Sequence, residues 1–232
     1  MDTIHLLMRF GLTHQEAKIY SCLHECRHAT GYELAKAAGI SRSNAYASLS
    51  SLVEKGGAYR IDGKPVRYEA VSISEFCENN IRNLQETKKQ LETQMIQPNE
   101  HDDAYLTIRG NQNIRDKIYS MISQAQQRIY ISMAASTLKE FLPVLQHCAS
   151  ARINIVLITD EAVALENMHI HIMPRQGNEL HMICDSEAAM TGELDDSANC
   201  TCLYSLKKNL VDLLKSALRN EMKVIELSEV TR

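Results

Sequence analysis

The sequence predicts a mixed α/β protein in three parts: a winged helix-turn-helix over residues 1–72, a long linker helix over 73–99 and a C-terminal α/β domain over 100–232. Residues 30–70 run helix, glycine turn, helix, β-ribbon. Residues 74–97 carry one narrow apolar stripe. From residue 102 onward, β-rich runs alternate with amphipathic helices, the order of a layered α/β fold.

In the first part, Thr13-His14-Gln15-Glu16 is a capping box opening the first helix of the winged domain, whose Ala17, Tyr20, Leu23 and His24 share a side, with Met8, Phe10 and Leu12 packed beneath. Leu34, Ala35 and Ala38 give the next helix an apolar face, and Gly39 supplies the left-handed residue that ends it. Ser41 is a natural N-cap for the helix that follows. On that helix Ala45, Leu49, Leu52 and Val53 recur at helical spacing and face the core. Arg42, Ser43, Asn44, Tyr46 and Ala47 are thereby left for the outer face. Arginine reads guanine bidentately, asparagine reads adenine, and small side chains let a helix sit deep in the major groove. Asp62-Gly63 is a hairpin-turn signal, and Lys64 and Arg67 flank the tip, in reach of phosphate or the minor groove. The candidate DNA-binding residues are therefore Ser41, Arg42, Ser43, Asn44, Tyr46, Lys64 and Arg67.

The linker is expected to start with Ser74 as cap and to run to about Gln97, before Pro98. Cys77, Ile81, Leu84, Lys88, Leu91 and Met95 follow each other at alternating spacings of four and three, a heptad seam. So narrow a stripe needs a partner, and a second copy of the same helix is the expected one. Lys88 on the seam weakens such a pair but sets its register. Packing on the chain's own C-terminal domain is the alternative.

Strands are expected at 104–108, 128–133, 153–159, 169–173, 179–184 and 188–191, with helices at 112–125, 137–151 and 206–221. The net charge of −4 hides an asymmetry: residues 1–72 hold nine Lys and Arg against seven Asp and Glu, whereas residues 100–232 hold thirteen against eighteen. The cationic excess sits on the helix-turn-helix part, which suits a DNA partner bound mainly through groove contacts. The seven cysteines follow no repeating frame, so a secreted disulfide scaffold is not expected. Neither a signal peptide nor a run of membrane-spanning length is visible, and the chain reads as cytoplasmic, with no membrane partner.

At this point the chain resembles a known family, the TrmB transcriptional regulators, named for a regulator of sugar transport. The resemblance rests on Gly11-Leu12-Thr13-His14-Gln15-Glu16-Ala17-Lys18-Ile19-Tyr20, on Gly39-Ile40-Ser41-Arg42-Ser43-Asn44-Ala45-Tyr46-Ala47-Ser48-Leu49 and on Leu52-Val53-Glu54-Lys55-Gly56. It implies a coiled-coil linker and a C-terminal effector domain related to one half of phospholipase D. For that domain the match rests on the order of elements and on His181-Met182-Ile183-Cys184-Asp185. On this resemblance the chain stops short of the extra C-terminal region of the sugar-binding members, so a sugar ligand is not implied.

A phospholipase D site needs a histidine nucleophile with a lysine two residues on. Here Ile183 follows His181, so no catalytic residue is assigned and the chain is not expected to be an enzyme. His169-Ile170-His171, with His181, and Cys200-Thr201-Cys202 place paired imidazoles and thiols on strand faces. Either set is a candidate metal or oxidant site, but neither has the spacing of a structural zinc centre, and ordinary strand packing explains both. No cofactor and no metal is assigned. The function expected is a sequence-specific DNA-binding regulator, a homodimer on double-stranded DNA with a C-terminal domain for a small-molecule effector or a second contact. The competing functions are a phospholipase D-type phosphodiesterase with a DNA-binding appendage and a winged-helix scaffold that binds protein.

Overall fold

Two threonines and two serines set the helix starts of the N-terminal unit. In the computed structural model, which describes residues 2–95, 104–163, 168–174, 177–195 and 199–230, Thr13 and Thr30 each close a full capping box, with Glu16 and Glu33. Ser41 and Ser72 each accept a backbone N–H three residues on. The helices are α1 (Thr3–Arg9), α2 (His14–Glu25), α3 (Gly31–Ala38), α4 (Arg42–Glu54) and α5 (Ile73–Gln94), with a hairpin of β1 (Ala58–Ile61) and β2 (Arg67–Ala70) between α4 and α5. Gly39 ends α3 at φ 66°, ψ 34°, the left-handed cap expected of it.

The core of this unit gathers Leu7, Ala17, Ile19, Tyr20, Leu23, Leu34, Ala45, Leu49, Leu52 and Phe76. Three expectations are corrected. The capping-box helix is the second, because α1 precedes it. Met8 and His24 are exposed, since Leu7 fills the inward position of α1 and the His24 ring lies flat against Tyr20, its centroid 6.3 Å away. The linker helix begins two residues earlier than expected, on Ser72 rather than Ser74. The Ser72 hydroxyl accepts from the N–H of Glu75, while the Ser74 hydroxyl donates to Glu78. The helix is described as far as Gln94, and its expected end at Gln97 and Pro98 lies outside the described residues.

The chain divides into units of residues 1–98 and 99–232. The second contains β3 (Leu106–Arg109), α6 (Asn111–Gln124), β4 (Arg128–Ser132), α7 (Ala135–Leu138), a 3-10 turn (Lys139–Phe141), α8 (Leu142–Ser150), β5 (Asn154–Thr159), β6 (His169–Ile172), β7 (Glu179–Cys184), β8 (Ala188–Glu193), β9 (Thr201–Ser205) and α9 (Lys208–Val230). The helix expected at 137–151 is two helices, with a proline in the first turn of α8, where its missing N–H costs nothing.

The sheet order is β3-β9-β8-β7-β4-β5-β6. β4, β5 and β6 pair in parallel, and the other neighbours are antiparallel. Alternation along the strands sends Ile129, Ile131, Leu180 and Met182 to the face covered by α6 and α8. The opposite face, with Ile158, Ile183 and Ala189, is covered by Leu210, Val211, Leu214 and Leu218 of α9. This is the layered α/β fold that the alternating pattern predicts. Of β9 only the start, within Cys200-Thr201-Cys202, is read as strand from the sequence, yet the whole strand joins β3 to the rest of the sheet. Gly192 of β8 faces Cys202 there, and a Cβ at Gly192 would lie 2.6 Å from the Cys202 Cα, so only glycine allows the two strands to meet.

Candidate nucleic-acid interface

α4 divides as its periodicity requires. Ala45, Leu49 and Leu52 are fully buried, and Arg42, Ser43, Asn44, Tyr46 and Ala47 are exposed on the opposite side. Ser41 serves as the cap: its Oγ accepts from the Asn44 N–H and lies 3.1 Å from the Ser43 Oγ. Arg42 does not wave in solvent. Its guanidinium sits 4.3 Å from the centroid of the Tyr32 ring, on α3, a cation–π contact that limits the rotamers of the arginine. The Tyr46 ring lies over Gly31, where a Cβ would come within 2.6 Å of it. Tyr32 and Gly31 thus position two of the outer residues, and neither was picked out by spacing, because both contacts cross from α3 to α4.

The hairpin pairs Ile61 with Arg67 and Arg60 with Tyr68, leaving residues 62–66 as its loop. Lys64 lies in that loop and Arg67 on the strand beside it, both exposed. Arg60 was missed in the sequence. It shares a face with Tyr68 and borders a cleft with Thr30, Tyr32, Tyr46 and Pro65, so a cation stands on the wing side of the surface that holds Tyr46. The carboxyl of Glu33, bound by the Thr30 N–H and hydroxyl and lying near Arg67, is held below the usual glutamate range. It is spent on capping α3.

Phe76 locks the start of α5 into the winged core, 1% exposed and ringed by Phe10 and Tyr20. Tyr59 of the wing donates to the Glu75 carboxylate at 3.0 Å. The direction of α5 is therefore tied to the winged unit both through its core and through the hairpin. Of the expected seam, Cys77 is half-buried against the winged core. Ile81, Leu84, Leu91 and Met95 are 47, 66, 48 and 70% exposed. Lys88 pairs with Glu92 one turn on.

In the second unit His181 bonds through Nδ1 to the Thr191 hydroxyl at 2.9 Å, and Ile183 is fully buried beneath α9. Strand register places His181, Ser132, Ile158 and His171 in one row across the sheet. His181 and His171 are three strand spacings apart, roughly 14 Å, so the expected proximity of His181 to the His169 pair is not realised. Among the described residues no group of three His, Cys, Asp or Glu is arranged to hold a metal. Cys200 and Cys202 are buried in the core. Burial pushes the Cys202 thiol up to about 11 and the Cys184 thiol up to about 12, which withdraws both from thiolate chemistry at neutral pH. Asp185 closes the motif in a structural role. Its carboxylate accepts from the N–H groups of Gln126, Gln127 and Arg128, and although burial works the other way, these bonds hold it below its ordinary value.

Two models of one family match this chain: "Sugar-specific transcriptional regulator TrmB" over residues 6–74 and "Transcriptional regulator TrmB, EBD N-terminal subdomain" over residues 104–214. The chain belongs to the TrmB family. It is 26% identical over 184 residues to YrhO of Bacillus subtilis, a match covering 77% of this chain and 66% of YrhO. It is 25% identical over 187 residues to the HTH-type sugar sensing transcriptional regulator TrmBL1 of Pyrococcus furiosus, covering 76% of this chain and 53% of TrmBL1. The TrmB-family match thus spans between half and two thirds of each relative's length. A solved structure of TrmBL2, described as an archaeal chromatin protein with a novel mode of DNA binding, aligns with a TM-score of 0.46 and 19% identity, over 95% of this chain and 97% of that one. No helix among the described residues is long and apolar enough to cross a membrane.

Proposed function

We propose that this TrmB-family chain is a cytoplasmic, sequence-specific transcriptional regulator that binds double-stranded DNA as a homodimer. The observation that carries this is the exposed face of α4, where Arg42, held against Tyr32, stands with Ser43, Asn44 and Tyr46 opposite a buried apolar face. A helix so presented suits the major groove, and Lys64 and Arg67 suit the flanking backbone. Four large apolar side chains exposed at heptad spacing along α5 and its C-cap support pairing of two such helices, which gives two reading heads. Domain limits at 72/73 and 99/100 follow from this reading, with α5 as the connection that carries any signal.

The C-terminal unit would receive a small-molecule effector, and the sugar sensing of TrmBL1 supports that role. No phosphodiesterase activity is expected, because buried Ile183 stands where the lysine of a phospholipase D site would be. Selection of bound fragments from random duplex DNA by the full chain tests the proposal. A single enriched motif in two related half-sites is expected. Retention of DNA without enrichment at any position would overturn sequence-specific reading.

A further inference from the structure

The second unit is acidic overall, yet it gathers three cations around one cleft. Where β4 begins, Arg128 meets Lys215 and Arg219 of α9 at the mouth of a cavity of about 120 Å³, which Tyr130 and Ser186 also line. Lys215 and Arg219 are one turn apart and so share a helix face. The floor is apolar and sealed: Ile183 is fully buried and Leu218 is 2% exposed. Among the described residues none of the three cations forms an ion pair within 4.0 Å. Asp185, on the adjoining turn, lies close enough to feel the charge of Arg128, and its carboxylate already accepts from the N–H groups of Gln126, Gln127 and Arg128.

Like charges brought together over an apolar floor repel, and a low-dielectric wall focuses their field outward. An arrangement of this kind is relieved by an anion. Two guanidinium groups and an ammonium, with a phenol and a serine hydroxyl beside them, match the several oxygens of a phosphate better than the two of a carboxylate. The cavity holds more than one water but is smaller than the roughly 300–1,000 Å³ of sites for drug-sized ligands. A phosphate with a short carbon stem fits; a sugar ring held without charge has few partners there. The cleft is also separate from the His181 motif, since His181 faces Ser132, where β4 ends.

We infer that this cleft binds a small phosphorylated metabolite through its phosphate group. The inference rests on the reading of the C-terminal unit as a receiver, and it names the class of effector. The site is a concave cavity of about 120 Å³, which argues against the backbone of a duplex as its occupant.

Calorimetry of the full chain with inorganic phosphate, glycerol 3-phosphate and glycerol tests it in the absence of DNA. Saturable binding of the two phosphates, but not of glycerol, is expected. Lys215→Ala with Arg219→Ala should weaken that binding at least tenfold, while Lys223→Ala on the same helix leaves it unchanged. Circular dichroism confirms that each variant is folded. No saturable phosphate binding up to about 10 mM, or equal binding by the double variant, overturns the inference. A double variant that binds phosphate like the parent but loses DNA affinity overturns it in favour of a DNA-backbone contact. Phosphate binding that leaves DNA affinity unchanged upholds the site and removes the receiver reading, so the two fail separately.

Discussion

The Lys55 ammonium lies 2.7 Å from the Glu16 carboxylate and donates to the Gly11 carbonyl at 2.9 Å. Glu16 is 5% exposed and also accepts from the Thr13 N–H. One carboxylate therefore caps α2 and clamps the end of α4 to it, joining two of the three segments on which the family resemblance rests.

Lys55→Met should destabilise the winged unit by about 1–3 kcal/mol, because it leaves a buried carboxylate short of a charged donor. Burial raises the pKa of Glu16, but hydrogen bonds from Lys55 and Thr13 outweigh it, and the folded value is lowered. A depressed carboxyl contributes stability that is present above its unfolded pKa and is lost as pH falls through the folded one. Urea unfolding should thus show the parent losing its advantage over Lys55→Met on acidification below the ordinary glutamate range. A difference that stays constant from pH 7 to well below that range would place the stabilisation elsewhere.

Arg42→Ala should cost about 1–3 kcal/mol of specific DNA binding and relax one operator position. Tyr32→Ala should cost less while relaxing the same position, since Tyr32 acts through the arginine. Lys64→Ala or Arg67→Ala should instead weaken binding to all sequences and flatten the salt dependence by about one phosphate contact each. Binding titrations across a salt series separate the two behaviours. An unaltered operator preference in folded Arg42→Ala removes it as a base reader.

Leu84→Asp with Leu91→Asp puts charges on the exposed stripe of α5, each opposite its own copy. Sedimentation equilibrium should show a dimer for the parent and monomer for the variant, with much weaker DNA binding. Because both residues are exposed within the chain, the variant should keep its melting temperature apart from the loss of pairing. A parent that is monomeric at micromolar concentration ends the proposal.

His181→Ala should leave any trace hydrolysis of a chromogenic phosphodiester unaltered, because a phosphoryl transition state needs positive charge and buried Ile183 offers none. Turnover that disappears in this variant would restore the phosphodiesterase reading.

The sequence by itself determined the parts whose physics closes within about four residues. The caps at Thr13 and Ser41, the left-handed end at Gly39 and the inward and outward faces of α4 each depend on hydrogen bonds or periodicity inside one element, so they were legible. Strand alternation likewise gave β7 its full extent. Tertiary structure alone decided which elements are neighbours. His171 and His181 share a cross-sheet row yet stay apart because β4 and β5 lie between them, and of β9 only Cys200-Thr201-Cys202 was legible as strand, because its pairing with β3 joins residues nearly a hundred positions distant. Tyr32 under Arg42, Lys55 on Glu16, Phe76 in the winged core and the three cations over Ile183 have the same origin. Each is a side-chain contact between separate elements, set by packing and register, which no window along the chain contains.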